Sequence, residues 1–288
     1  MIFLIYVITG PTGVGKTNLS IKLAKKLNAS IINCDSMQIY KELNIGTAKI
    51  KEEEMQGIKH YLINTKSVFD DYNVCTYQKD ARKILNELIK ENKNVLIVGG
   101  TGLYLKALLY DYKFDEENIT NDYSKYTLEE LVNKIKSINN TTNIDFNNRR
   151  RVERALQKIE NNVESTSNKN VKLYDFKLIC LTRKKDNLYN NINLRVDRMI
   201  KEGLTQEAYN LYQKNIHTRA INTAIGYKEL YLYFDKKSTL DEAIDKIKLN
   251  SRRYAKRQLT FFKNQFSDIK WYNLDEMDEE DIIKDILS

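Results

Sequence analysis

The sequence has a single proline, Pro11, and no Gly/Ser linker, low-complexity tract or internal repeat. Nothing in it marks a flexible joint between independent domains. A length of 288 residues suffices for one sizeable α/β domain, or one domain with a smaller appendage. No run reaches the roughly 18 apolar residues that a membrane-spanning helix requires, so no membrane partner is expected. The apolar start, MIFLIYVITG, has neither the basic lead nor the small-residue cleavage site of a signal peptide, and it reads as a buried strand. Cysteine is scarce as well. Cys34, Cys75 and Cys180 are odd in number and widely spaced, which yields neither a disulfide framework nor a zinc site. A reducing, cytoplasmic location is expected. No apolar stripe stands out as a subunit interface, so a monomer is expected.

Charged residues make up 30% of the chain and hydrophobic residues 42%, as in ordinary soluble globular proteins. The net charge of +8 is unevenly placed: residues 275–288 carry seven acids and one Lys, a net of −6, which leaves +14 on residues 1–274. A basic body with an acidic tail suits a polyanionic partner such as nucleic acid. A Lys-rich composition that follows a biased genome would look the same.

Apolar runs of strand length recur at 2–8, 30–34, 95–98 and 177–181, with helical patterns between them. Leu19, Leu23 and Leu27 with Ala24 form one such pattern; Tyr77, Ala81, Ile84, Leu85 and Leu88 form another. Strand and helix in alternation predict an α/β fold with a parallel sheet flanked by helices. Residues 111–147 break the rhythm: they are polar, with one short helical signal at Leu128, Leu131, Val132 and Ile135. The expected organisation is therefore a core over 1–110, a small inserted lobe over 111–147, the rest of the core and a helical part over 148–274, and an acidic tail over 275–288. A long helical pattern runs from about 239 to 266.

The stretch Gly10-Pro11-Thr12-Gly13-Val14-Gly15-Lys16-Thr17 matches G-x-x-x-x-G-K-[ST] between a strand and a helix. Its glycines let backbone N–H groups converge on a diphosphate, and the next helix offers its positive end. Lys16 adds a full charge, and the Thr17 hydroxyl suits Mg²⁺. What is lacking is the acid that ordinarily closes a later strand in nucleotide hydrolases: NVLIVGGTGLYLKAL ends in Gly99-Gly100-Thr101-Gly102. An acid does close the second run, SIINCDSMQIY, where Asp35 stands at the sheet edge that binds ligands in open α/β folds. Asp35 is either the cap of the following turn or a general base facing the diphosphate.

Two helices are densely basic. In DFNNRRRVERALQKI, Val152, Ala155, Leu156 and Ile159 form an apolar stripe, and Arg150, Arg151 and Arg154 fall within a sector of roughly 100° elsewhere. In NSRRYAKRQLTFFKNQF, Arg252, Lys256 and Lys263 lie within about 40° of one another, with Arg253 and Arg257 beside them; Tyr254, Phe261 and Phe262 point the other way, toward a core. Each ridge alone reads as a solvated face. Two of them beside a phosphate loop point to an RNA backbone. His60 reads as a packed or hydrogen-bonded histidine, and Tyr104 as helix packing.

Taken together and in order, GPTGVGKT, DSMQIY, IGTAK (45–49), GGTGLYLKAL, RRRVERAL, RVDRMIKEGL (195–204), AIGYKEL (224–230) and RRYAKRQLTFF resemble the tRNA dimethylallyltransferase (isopentenyltransferase) family, bacterial type, from residue 8 to about 265. The resemblance implies a P-loop NTPase-like fold. It also implies transfer of a dimethylallyl group from dimethylallyl diphosphate to the N6 amine of the adenine next to the anticodon, in tRNAs reading codons that begin with U. Diphosphate and Mg²⁺ would then sit on residues 10–17, with Lys16 and Thr101 at the reacting centre and Asp35 as base. Ser36, Met37 and Gln38 would line the adenine pocket. The anticodon stem-loop would be gripped by Arg150, Arg151, Arg154, Gly226, Tyr227, Lys228, Lys256, Arg257, Gln258 and Lys263, whereas Arg183 and Arg195 are further cationic candidates near the diphosphate. Four positions depart from the family pattern: Tyr61 in place of the second His of a pair, Asn64 for an acid, Asn148 for Asp, and Phe262 for Trp. These bear on tRNA grip more than on chemistry. A bacterial-type enzyme, without a C-terminal zinc-finger extension, is expected. The alternative reading is a small-molecule kinase of the P-loop class, which gives no role to the arginine ridges.

Overall fold

The computed structural model describes residues 4–114, 121–138, 144–161 and 170–288; residues 2 and 3 of the expected first strand, and 115–120 and 139–143 of the expected insert, lie outside these. The chain divides into two compact units, Met1–Tyr110 with Lys172–Ser288, and Asp111–Val171.

In the larger unit, strands β1 (Ile5–Thr9), β2 (Ser30–Asn33), β3 (His60–Tyr61), β4 (Val95–Val98), β5 (Lys177–Thr182) and β6 (Ile269–Asn273) pair in parallel in the order β3-β2-β4-β1-β5-β6. The four expected apolar runs are β2, β4, β1 and β5, the inner strands. They are buried on both faces, which is why they read as continuous hydrophobic runs. The two edge strands had no such signal: β3 is two residues long, and β6, IKWYN, is half exposed. Helices α1 (Lys16–Leu27), α2 (Glu52–Met55), α3 (Val74–Lys90) and α4 (Gly102–Leu109) belong to the first half of this unit.

The smaller unit holds α5 (Leu128–Ile138) and α6 (Arg149–Glu160) around Tyr123, Leu131, Ile135, Val152 and Leu156. Its span differs from the expected 111–147. The arginine helix joins the lobe, because Val152 and Leu156 pack against Leu131 and Ile135 and give the lobe its own small core. Asn148 caps α6, its side-chain oxygen accepting from Arg151 N at 3.3 Å. An Asp would do the same work, so this departure costs the helix little.

The larger unit continues with α7 (Lys185–Lys201), α8 (Leu204–Gln213), α9 (Arg219–Thr223), α10 (Tyr227–Phe234), α11 (Leu240–Gln265) and α12 (Glu279–Leu287). The acidic segment folds back onto α1. Ile282, Ile283 and Ile286 are buried with Leu19, Leu23 and Ile21, and Lys22 and Lys26 reach Glu279 and Glu280 at 2.8 and 3.0 Å. Exposed pairs of this kind contribute little, so the isoleucines carry the docking. Phe262, where the family has Trp, is wholly buried against Phe261 and Phe266. No described helix is long and apolar enough to cross a membrane.

Candidate active site

The phosphate loop runs from the end of β1 into α1. Gly10 has φ 140°, and a Cβ there would lie 2.5 Å from the Leu181 carbonyl oxygen, so only glycine fits. The Lys16 ammonium donates to the carbonyls of Gly10 and Pro11 at 2.9 Å each. Burial pulls its pKa down to about 8; the nearby Asp35 carboxylate opposes that shift and Arg195 adds to it. Val14 is a core residue, and its carbonyl accepts from Arg183 Nε at 3.2 Å. Arg183 also pairs with Asp275 at 2.7 Å, so it braces the loop from behind. Expected as a diphosphate cation, it is spent on structure.

Asp35 follows β2. Its Oδ1 accepts from Met37 N at 2.9 Å and Gln38 N at 3.3 Å, which caps the turn. Both readings of this residue are therefore compatible, because capping engages a single oxygen. Thr101 sits across from it after β4, its Oγ1 accepting from Ser36 N at 3.0 Å. The backbones of these two strand ends must touch: a Cβ on Gly99 would fall 2.2 Å from the Cys34 carbonyl oxygen. The glycines where an acid was sought thus bring Thr101 beside Asp35 and Ser36.

Three cavities open around this junction. One, of about 240 Å³, has apolar walls from Met37, Ile192, Val196, Met199, Leu204 and Ile247, with Ser36, Thr47, Tyr254 and Arg257 among its polar lining. A second, of about 340 Å³, runs along Thr12, Gly13, Gly15, Lys16 and Thr17 to Arg195 and Arg198. A third, of about 60 Å³, lies beside Thr17, Asn33 and His60. Among the described residues, Asp35 alone lines all three. Arg195 lines the two larger ones and donates to the Thr47 carbonyl at 3.0 Å.

The expected adenine pocket is split. Ser36 and Met37 face the 240 Å³ cavity, whereas Gln38 faces the two others and donates to the Thr47 carbonyl at 3.2 Å. The expected tRNA grip also divides. Lys256, Arg257 and Lys263 are exposed on α11, and Lys228 is half-buried at the 240 Å³ cavity. Arg150, Arg151 and Arg154 are exposed on α6 of the smaller unit. Gly226, with φ 104°, and Tyr227, fully buried, shape the start of α10. Gln258 is a correction. It is 5% exposed, accepts from Thr12 N at 2.9 Å and donates to the Gly100 carbonyl at 2.8 Å, clamping the phosphate loop to the end of β4. The carbonyl and one N–H of this buried amide are thus engaged with the protein's own backbone.

Three roles escaped the sequence reading. Tyr254 was expected in a core and instead lines the 240 Å³ cavity, hydrogen-bonded to Thr101. Glu207 accepts from the backbone N–H groups of Asn44, Ile45 and Gly46. Lys49, in the IGTAK motif, is buried and held by Tyr40 O, Asn44 Oδ1 and Asn64 Oδ1. Glu207 on the amphipathic α8 carries no sequence mark that separates it from a surface charge, and the IGTAK motif does not say that its lysine is buried. Among the described residues, no group of three His, Cys, Asp or Glu side chains gathers to hold a metal ion.

Residues 38–265 match the family model described as IPP transferase. The tRNA dimethylallyltransferase of Anoxybacillus flavithermus is 44% identical over 283 residues, spanning 94% of this chain and 90% of that protein. The full-length tRNA isopentenylpyrophosphate transferase of Bacillus halodurans superposes with a TM-score of 0.77 at 40% identity, over 98% of this chain and 94% of that one. A eukaryotic dimethylallyltransferase captured acting on tRNA gives a TM-score of 0.82 at 27% identity, over 100% of this chain and 80% of that one.

Proposed function

The chain belongs to the IPP transferase family, and on that premise we propose that it moves the dimethylallyl group of dimethylallyl diphosphate to the N6 amine of the adenine next to the anticodon, in tRNAs that read codons beginning with U. The observation that carries the reading is Asp35, placed where the phosphate-loop cavity meets the apolar one. The prenyl diphosphate has a charged head and a hydrocarbon tail, and the two cavities differ in the same way.

In the reaction the allylic C–O bond breaks, its electron pair leaves with diphosphate, and the adenine nitrogen forms the new C–N bond. Negative charge builds on the leaving oxygens, where the loop amides, Lys16 and Arg195 stabilise it. The amine lone pair is delocalised into the purine, so a base must take its proton as the bond forms. Asp35 Oδ1 is held by two backbone N–H groups, which leaves Oδ2 to receive that proton. Thr101 orients the reacting groups, with Ser36 and Tyr254 against its hydroxyl.

The donor set suits Mg²⁺ carried in by diphosphate oxygens and water, with the Thr17 hydroxyl as protein ligand; bound there, the ion would neutralise leaving-group charge. The exposed cations of α6 and α11 would hold the anticodon stem-loop by its phosphates. A tRNA substrate and three unpaired cysteines both suit the cytoplasm.

The test is transfer of label from dimethylallyl diphosphate into unmodified tRNA with Mg²⁺, run beside labelled ATP. Phosphate released from ATP without prenyl transfer would favour a kinase or ATPase instead. Asp35→Ala should abolish transfer while tRNA affinity stays within about threefold, roughly 0.7 kcal/mol. Equal loss of both would make Asp35 purely a turn cap. Changing Arg150, Arg151 and Arg154 together to Ala should weaken tRNA binding and cut its log–log salt slope by about 2; an unchanged slope would return that ridge to ordinary surface.

A further inference from the structure

We propose that Glu207 is a positioning residue of the reaction pocket, acting through the loop at 44–47 on Arg195; this rests on the transferase reading above. Glu207 lies on α8, and its carboxylate meets four donors: Asn44 N at 3.2 Å, Ile45 N at 3.0 Å, Gly46 N at 3.2 Å and the Tyr227 hydroxyl at 2.6 Å. Three successive backbone N–H groups turned toward one anion form a concave nest, a geometry that suits a negative charge. The loop is also pressed against the tyrosine that shares the carboxylate, since a Cβ on Gly46 would lie 2.6 Å from the Tyr227 ring.

The consequence falls on the next residue. The Thr47 carbonyl accepts from Arg195 Nη2 at 3.0 Å and from Gln38 Nε2 at 3.2 Å. Gly46 and Thr47 wall the apolar cavity, and Ala48 walls the phosphate-loop cavity. Arg195 is half-buried between the two, close enough to Asp35 and Lys16 to feel both charges. A guanidinium held by a carbonyl is only as well placed as the carbonyl. Glu207 therefore sets where Arg195 stands before a diphosphate arrives, and it ties that setting to the turn leading into α10.

Glu207→Gln keeps the volume but replaces one acceptor oxygen with an NH₂ group aimed at donors. It should raise the KM for dimethylallyl diphosphate about tenfold, or 1.4 kcal/mol, with the KM for tRNA unchanged. Arg195→Ala should raise the same KM at least as much, and the double variant should be no worse than Arg195→Ala alone, because one residue acts through the other. Additive effects, or both KM values moving together, would make Glu207 a support of the fold only. Tyr227→Phe withdraws a single donor and is the milder probe if Glu207→Gln does not fold. About a threefold rise in the donor KM is expected, and no rise would overturn the proposal. The same cycle read by calorimetry with inorganic diphosphate needs no reaction. Coupling there in a protein that transfers nothing would sink the transferase reading and leave the Glu207 assignment standing; lack of coupling there would overturn the assignment itself.

Discussion

Lys16 and Lys49 are alike in their electrostatics and opposite in use. Both are held by neutral oxygens, Lys16 by two loop carbonyls and Lys49 by Tyr40 O and two Asn side chains. Burial pulls each down to about 8. Lys16 lines two cavities, so an arriving diphosphate relieves the cost of its burial. Lys49 is 8% exposed and lines none of the three cavities, and all three of its protons are engaged. Its cost is permanent and is spent on holding Tyr40, Asn44 and Asn64 together. A lowered lysine marks a binding site only where the cation also faces space for an anion.

The largest effect that would break this contrast is at the phosphate loop. Lys16→Met should lower kcat/KM for dimethylallyl diphosphate by about 10² to 10³ in steady-state transfer assays, as expected for loss of a cation at a developing oxyanion. It should also remove a linked proton. With Lys16 near pKa 8 and raised on binding, diphosphate should take up about half a proton more in the wild type than in Lys16→Met at pH 8. Calorimetry in buffers of different ionisation heat reads that difference, and equal uptake in both proteins would remove Lys16 from the linkage.

The smaller effect lies at Lys49. Its folded pKa is below the unfolded value, so the unfolded chain binds more protons between about pH 8 and 10.5. The cost is thus complete below pH 8 and fades as pH rises through that window. Asn64→Asp supplies the missing counter-charge at a position with φ 55°, which Asp tolerates. The variant should be stabilised by about 1 kcal/mol near pH 7 in urea unfolding, with the gain lost at alkaline pH. Transfer activity should hardly change, and a large gain in activity would make Lys49 part of the site.

Legibility followed burial and local pattern. The inner strands, α1, α3 and α11 were readable because continuous apolar runs and 3.6-residue stripes survive in one dimension. Strand β3 has two residues and β6 an exposed face, so neither carried a pattern. The insert boundary was misplaced because α6 looks like any amphipathic helix, and only the packing of Val152 and Leu156 says which unit it completes. At the site, motif and strand end singled out Lys16, Thr17 and Asp35, all of which line the cavities around the phosphate loop. Gln258 was misassigned because one buried amide among exposed cations on α11 is indistinguishable in sequence from a gripping residue.

By itself the sequence determined the phosphate loop, the parallel α/β core, the basic ridges and the family, since each rests on residues close together in the chain or on motifs in fixed order. Only the tertiary structure decided which charges are free to act. Arg183 is spent on Asp275, Gln258 on the phosphate loop and Glu207 on a nest of backbone N–H groups, while Arg195 stands between two cavities. The reason is physical: a charged or polar side chain takes its role from the partner that desolvates it. Those partners lie 92, 246 and 162 residues away.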